Sequence, residues 1–317
     1  MIRKHKQRGV AIITALLVVM LAASIAAFLL AQQSQALTRT VRTGERAQAL
    51  LYAQPTLDWA RAALFELQKN TARVDLSQPW AKGLSVIPID GAIAAGRLRD
   101  EAGLFNVNNL VKDDGTQSVA DVELFRALLS QLKLNPDLAS AVADWIDADD
   151  EATLPGGAEN ATYLARANPY RAANQRLLQI DELHRVQGFN DEIIGRLSPF
   201  ITALPGRTKL NINTVPQELL AAAFPALAND DIVALMKYRL ATPFARIDGE
   251  SGLKSYLKTV PASTIDKFFD CTSRYFSASI AINNGGTQIR QSALLQRSTG
   301  EGAAVDRWPS IIWVKSE

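Results

Sequence analysis

Two kinds of apolar pattern alternate along the chain. From Val10 to Leu30 it is apolar with no charge, and Thr14 and Ser24 are the only hydroxyl residues. At about 1.5 Å per residue such a helix spans ~30 Å, the hydrocarbon thickness of a bilayer. The run predicts a membrane-spanning helix. Beyond it Leu37, Val41, Ala47, Leu51, Leu57, Ala60, Leu64 and Leu67 recur mostly every three or four residues. The helix is therefore expected to continue to about Gln68, kinked near Pro55, where the ring removes a backbone donor. This continuation reads either as a plain stalk or as a packing spine shared with neighbouring subunits.

Strand patterns follow. Leu84–Ile89 and Ala92–Arg99 flank Asp90-Gly91 and predict a β-hairpin. Near the far end, Arg274–Ile282, Thr287–Leu295 and Pro309–Val314 predict strands, with Asn283-Asn284-Gly285-Gly286 as the first turn. Residues 105–270 are mostly helical in pattern. An α+β fold is implied, in which a large α-helical domain interrupts an antiparallel sheet that the C-terminus completes. The expected order is a basic segment 1–9, a spanning helix 10–31, a spine helix and first strands 32–104, the helical insert 105–270, and closing strands 271–317.

The insert repeats itself. Gly103-Leu104-Phe105-Asn106-Val107-Asn108-Asn109-Leu110 is echoed by Lys209-Leu210-Asn211-Ile212-Asn213-Thr214-Val215-Pro216, each followed by a helix, a short turn and a second helix. Two related helical modules are expected. In the second, Asn213 or Thr214 is placed to cap the helix that begins near Pro216.

Composition narrows the function classes. With 317 residues, 48% of them hydrophobic, the chain can fill one or two sizeable cores. Its net charge is +2, and Arg3, Lys4, Lys6 and Arg8 supply enough of that to leave about −2 without the leader. This is not the balance of a nucleic-acid-binding surface. Those four cations before the apolar run place the N-terminus in the cytoplasm and residues after about Ala31 across the membrane. Ser24-Ile25-Ala26 could end an ordinary secretory signal, but the apolar core runs past it through Phe28, Leu29 and Leu30. Cys271 is the single cysteine, so no internal disulfide forms. Only His5 and His184 are present, which argues against a histidine-based zinc site, and His184 without a nucleophile beside it reads as structural.

The richest chemistry is acidic. Asp137, Asp144, Asp147, Asp149, Asp150, Glu151 and Glu159 lie between Lys133 and Arg166 with no base among them. Carboxylates that converge repel unless compensated, and calcium is the natural partner because it takes six to eight oxygen ligands in a flexible loop. Asp147, Asp149 and Glu151 match the first alternate positions of an EF-hand, but Ala152 stands where the turn needs glycine and Glu159 comes one step late. A different loop, folded back by Pro155-Gly156-Gly157, would bring Glu159 and Asn160 to the first cluster. The candidate ligands in the loop 144–160 are thus Asp147, Asp149, Asp150, Glu151, Glu159 and Asn160. The alternative is a solvated acidic loop.

Residues at both ends of the chain carry a resemblance. The basic leader, Gly9, Val10 and a spanning helix that runs on as an amphipathic one resemble the class III signal of type IV pilins and type II secretion pseudopilins. The resemblance implies that a prepilin peptidase cuts between Gly9 and Val10 and methylates the new terminus. Most members carry Glu at the fifth mature position, here Thr14, a departure typical of the minor pseudopilins of the general secretion pathway protein K family. The segment from Asp144 through Asn160, continuing to Asn168-Pro169-Tyr170-Arg171-Ala172-Ala173-Asn174, is similar to that family's calcium-binding insert.

The family implies a pseudopilin fold interrupted by a large α domain, in a non-enzymatic subunit of the inner membrane with its soluble part in the periplasm. It also implies a place at the pseudopilus tip with minor pseudopilins I and J, contact with the inner-membrane secretion platform, and support of protein export across the outer membrane, with possible contact to cargo. Thr14, which cannot pair with the terminus of a subunit ahead, would mark the leading position. The second module also resembles the helix-hairpin-helix unit of exported competence proteins, which keeps a membrane-tethered DNA-uptake or pilus-tip adhesin as the alternative. Its turn Phe224–Asp231 lacks the glycine that lets backbone amides reach a phosphate, and Asp230 and Asp231 would repel one. A tethered hydrolase using His184 is the enzymatic alternative.

Overall fold

A computed structural model describes residues 7–298 and 307–316. Arg3, Lys4 and Lys6 of the leader lie outside them. Helix α1 (Gln7–Asn70) is one element through Gly44 and Pro55. Its first half is exposed and apolar enough to cross a membrane. Its second half buries Ala49, Ala53, Leu57, Ala60, Leu64 and Leu67, a stripe whose steps of three and four keep one face inward. Of the positions that carry the helical periodicity, Leu37, Val41 and Leu51 face outward, at 68%, 52% and 72% exposure. A second apolar face is therefore left without a partner inside the chain.

Strands β1 (Leu84–Ile89) and β2 (Ala92–Asp100) form the expected hairpin, turned by Asp90 and Gly91 at positive φ. After a short 3₁₀ turn the chain enters the helical body. Its first module comprises β3 (Phe105–Asn106), α2 (Val119–Gln131), α3 (Leu138–Ile146), α4 (Asn160–Leu164), a 3₁₀ turn Ile180–Arg185, α5 (Asp191–Leu197) and β4 (Ile201–Thr202). The second comprises β5 (Leu210–Asn211), α6 (Gln217–Ala223), α7 (Asn229–Ala241), α8 (Leu253–Tyr256), α9 (Ala262–Phe268) and β6 (Phe269–Asp270). The chain then returns to the sheet as β7 (Tyr275–Asn284), β8 (Thr287–Gln296) and β9 (Ser310–Ser316).

The sheet is antiparallel, ordered β1-β2-β7-β8-β9. Its Ala94, Leu98, Ala278, Ile280, Ile282 and Ala293 pack on the inward stripe of α1. At roughly 1.5–3 kcal/mol for each large aliphatic side chain buried, replacing Leu57 or Leu64 by a charge would uncouple helix from sheet. The helical body has a separate core running from Phe105 to Cys271. The α+β class expected from the pattern is the one observed.

Each module is closed by the same device. A two-residue strand at its start pairs in parallel with one at its end, Phe105 opposite Ile201 and Leu210 opposite Phe269. The first asparagine of each Asn-x-Asn folds back on the backbone: the Asn106 side chain accepts from Asn108 N–H, and that of Asn211 accepts from Asn213 N–H. The second asparagine clasps a distant residue by both its backbone groups. Asn108 holds Leu177 N–H and C=O, and Asn213 holds Phe244 N–H and C=O. This corrects the capping expectation. Asn213 is spent on the clasp, Thr214 donates to Asp100, and α6 starts at Gln217 behind Pro216, with no side-chain cap.

Two neighbouring carboxylates join body to sheet. At the end of β2, buried Asp100 accepts from Ala102 N–H and from the side chains of Asn211, Thr214 and Ser273, all belonging to the second module or the strand return. Burial pushes its carboxyl above the usual range against the pull of these four donors. Glu101 does the same for the first module, accepting from Thr202 and Ser277 and pairing with Arg99. Buried Arg297 ties the end of the sheet to the end of α1 through the carbonyls of Ser273, Thr71 and Ala72.

Candidate metal centre

Helix α3 ends in Asp144-Trp145-Ile146-Asp147, and a spacing of three puts both carboxylates on one side of its last turn. Glu159 stands immediately ahead of α4, makes no side-chain cap there, and faces them. Asp144, Asp147 and Glu159 are all buried, each offering a carboxylate oxygen within 4.8 Å of the others. Gln117, just before α2, organises the floor: its amide donates to Asp144 Oδ1 at 2.9 Å, Asp147 Oδ2 at 2.8 Å and Thr153 Oγ1 at 2.9 Å. Thr153 N–H donates to Asp144 Oδ2.

The fold-back depends on two glycines. Gly156 sits at φ +90°, and any Cβ at Gly157 would lie 2.2 Å from Asp144 Oδ2 and 2.3 Å from Thr153 C=O. Only a residue without a side chain lets the loop close over the carboxylates. Behind them Trp145, Tyr163 and Tyr170 stack edge and face, with the Arg166 guanidinium over both tyrosine rings.

The cluster's electrostatics are unbalanced. Among the described residues no lysine or arginine pairs with Asp144, Asp147 or Glu159. Both oxygens of Glu159 and Oδ1 of Asp147 are buried with no hydrogen-bond donor. Burial, then the charges of Asp147 and Asp144, pushes the Glu159 carboxyl up to about 8. Burial, with Asp149 and Asp144 adding, pushes Asp147 up to about 6. Three converging carboxylates, with buried oxygens of Asp147 and Glu159 left without donors, fit a hard cation of calcium type. The residues present thus suit a calcium ion held by Asp144, Asp147 and Glu159.

The candidate ligands separate into two groups. Asp147 and Glu159 converge, and Asp144, noticed in the sequence only as one acid among several, is the third member. Asp149, Asp150 and Glu151 lie exposed on the rim. There Asp149 accepts from Glu151 N–H, while Asp150 accepts from the Asn160 amide at 2.6 Å. Asn160 accepts in turn from Ala172 N–H, so it ties the loop to the following segment. Gln117 carried no sequence signal. The three-residue spacing of Asp144 and Asp147 at a helix end was the signal available for Asp144.

The other singled-out residues lie elsewhere. The Gly9–Val10 bond falls in the first turns of α1. Thr14 Oγ1 donates back to the carbonyls of Val10 and Ala11, both at 3.0 Å, the self-satisfied state open to a hydroxyl in a membrane helix. His184 is exposed, with ring nitrogens against Asp181 C=O and Asp191 Oδ1. These contacts raise its pKa, the Asp181 carbonyl first.

Comparison with known proteins agrees with this architecture. Residues 103–206, the first module with its acidic cleft, match a family model described as type II secretion system (T2SS), protein K. The chain is 30% identical over 312 residues to type II secretion system protein K of Aeromonas hydrophila, covering 92% of this chain and 94% of that protein. It is 35% identical over 232 residues to the protein K of Pseudomonas aeruginosa, 70% of this chain and 69% of that protein. Among solved structures it superimposes with a TM-score of 0.71 and 28% identity on a chain of the GspK-GspI-GspJ complex from enterotoxigenic Escherichia coli, covering 88% of this chain and 99% of that one. With the anchor helix, the interrupted sheet and near full-length similarity in agreement, the chain belongs to the type II secretion system protein K family, the minor pseudopilins.

Proposed function

We propose that this chain is the leading subunit of a type II secretion pseudopilus, a non-enzymatic part assembled from the inner membrane that supports export across the outer membrane. One observation carries the reading: the helical body is fastened to the end of α1 farthest from the apolar span. The joint at Asp100 and Glu101, with Arg297 on Thr71 and Ala72, holds that bulk above the spine, where it would obstruct a further subunit stacking ahead. Thr14 needs no partner ahead because its hydroxyl is already bonded. The unpartnered Leu37, Val41 and Leu51 suit packing against subunits beside or behind it. By analogy with the solved complex, those neighbours are minor pseudopilins I and J, and the N-terminus is cytoplasmic with the body in the periplasm.

Cleavage after Gly9 by a prepilin peptidase, with methylation of Val10, belongs to the same reading. Gly9→Leu should leave an unprocessed membrane form, and a normal Val10 terminus by mass spectrometry would refute it. An epitope on the helical body should label pseudopili at one end. Label along the shaft at the density of the major subunit would refute tip placement.

The acidic cleft is proposed to hold calcium as a structural ion. It would neutralise the converging carboxylates and fix the loop that α4 begins. Trp145, adjacent to Asp144, gives a direct assay: terbium, a calcium surrogate, should luminesce on tryptophan excitation and be displaced by calcium. A signal unchanged in Glu159→Gln would leave a solvated acidic loop. Nothing favours the DNA-binding alternative, since Asn213, the residue most like its motif, is consumed inside the fold and Asp230 and Asp231 open α7.

A further inference from the structure

The sheet has two faces, and only one of them is covered by α1. The other is a trough of small side chains on three strands. Register places Arg97 on β2 opposite Ser279 on β7, and Ala95 opposite Ala281, which is itself opposite Arg290 on β8. Period-two alternation puts all of them on the face away from the helix. Lys82, from the 3₁₀ turn ahead of β1, borders the same depression of about 530 Å³. Lys82, Arg97 and Arg290 are exposed, and among the described residues none has an ion-pair partner. The acids of the adjacent depression on this side are already engaged, Glu101 by Arg99 and Asp181 by Lys315. A concentration of unpaired cations on a chain of near-neutral balance, over a floor without bulk, selects an anionic occupant that approaches closely.

The spacing and the height narrow its nature. Arg97 and Arg290 stand two strands apart and one same-face step along, so their Cα atoms are roughly 12 Å from each other. That separation suits several carboxylates distributed along a chain better than a single phosphate. Lipid headgroups are out of reach. The lower end of the sheet meets α1 at Glu45, where Asn284 donates to its carbonyl. Glu45 itself stands about 20 Å along the helix beyond the apolar run, more than two Debye lengths at physiological salt.

We infer that the open face of the sheet, between Arg97 and Arg290, is a docking surface for an acidic polypeptide segment of a partner. It is independent of the calcium cleft and of tip placement. The test uses the full chain in detergent and a fluorescein-labelled decaglutamate peptide, followed by anisotropy at low and at moderate salt. The wild type should bind with an affinity that falls as salt rises. Arg97→Glu with Arg290→Glu should weaken binding at least tenfold. Lys237→Glu with Lys258→Glu, an equal charge change on exposed helical-body residues, should leave it within about twofold. Arg97→Gln with Arg290→Gln should give an intermediate loss with an unchanged melting temperature, which separates loss of the surface from misfolding. Absence of wild-type binding at low salt, or equal loss in both charge-reversed pairs, would overturn the proposal. So would a loss confined to phosphatidylglycerol vesicles or to a heparin oligosaccharide, with decaglutamate binding intact.

Discussion

The two helical modules share one closing device but differ in the chain that it encloses. In the second, Asn213 reaches 31 residues to Phe244, and the loop between is filled by two helices and their turn. In the first, Asn108 reaches 69 residues to Leu177. The additional chain is the acidic loop with α4, which buries Ala158 and Tyr163 beside its carboxylates. The short loop closes on apolar contacts such as Phe244 against Tyr238, with buried Arg239 donating to the carbonyls of Ile212 and Val215. The long one brings three carboxylates together and leaves Asp147 Oδ1 and both oxygens of Glu159 without donors. The acidic cleft is an elaboration of a repeated scaffold: one copy keeps the scaffold bare, and the other uses the same clasp to hold a charged insertion in place.

The comparison can be broken most forcefully at the clasps. Asn213→Ala would strand the buried N–H and C=O of Phe244, and each unsatisfied group costs about 1–3 kcal/mol. We expect a loss of about 3 kcal/mol by denaturant unfolding, equal with calcium and with chelator, because Asp144, Asp147 and Glu159 all lie outside that loop. Asn108→Ala should cost a similar amount in chelator and less in calcium, where the ion supplies a second closure of the same loop. Equal costs for Asn108→Ala in both conditions would show that clasp and cleft are not coupled.

Calcium removal comes next in size. An ion that binds only the folded state stabilises it by about 2.7 kcal/mol at a hundredfold excess over its dissociation constant. Chelation should therefore lower the melting temperature of the wild type and leave that of Glu159→Gln nearly unmoved. The pH dependence has a definite sign. Glu159 titrates near 4.5 when unfolded and at about 8 in the fold without the ion, so the folded state keeps a proton that the unfolded chain gives up. Stability in chelator should fall as pH rises from about 4.5 through about 8, with Asp147 contributing up to about 6. Calcium must displace that proton, so its affinity should rise across the same window and cancel the fall. Melting curves at pH 5 to 8 with and without calcium test both slopes.

Much of this contrast was legible in the residues, and the rest was not for identifiable reasons. Periodicity found α1, the hairpin at Asp90-Gly91 and the strands after Arg274, because each buries one face against a single partner. Sequence echo found the two modules through Asn106-x-Asn108 and Asn211-x-Asn213. It gave Asn213 a local capping role because its true partner, Phe244, is remote in sequence. Leu51 recurs at the same spacing as Leu57 and Leu64, and pattern alone cannot separate two apolar faces of one long helix. The acidic cluster was visible as a region, but its deepest members are sorted by burial, which charge counting does not see. Asp144 is buried by the turn that Gly156 and Gly157 allow, and Gln117 reaches the cluster from the segment ahead of α2.

The smallest effects should come from the rim, and they sharpen the contrast between converging and dispersed acids within the first module. Asp149 and Glu151 are exposed, and Asp149 is occupied in a local turn that accepts from Glu151 N–H. Neither reaches the buried oxygens of Asp144, Asp147 and Glu159, so each acts on a bound cation only through solvent-screened charge. Asp149→Asn adds a second consequence, since its charge helps hold Asp147 up. Removing it lowers the proton affinity of Asp147 and favours calcium at pH 5 to 6, against the weaker attraction that the lost charge exerts on the ion. These opposed terms should leave the calcium-induced shift in melting temperature at pH 7 within about 1 °C of the wild type, the stability change expected of a surface substitution being within about 0.5 kcal/mol. Glu151→Gln, with no such coupling, should show only the slight loss of attraction, relieved further by added salt. If either variant reduced the shift as strongly as Glu159→Gln, the ion would be drawing on rim carboxylates, and the division between floor and rim would have to be abandoned.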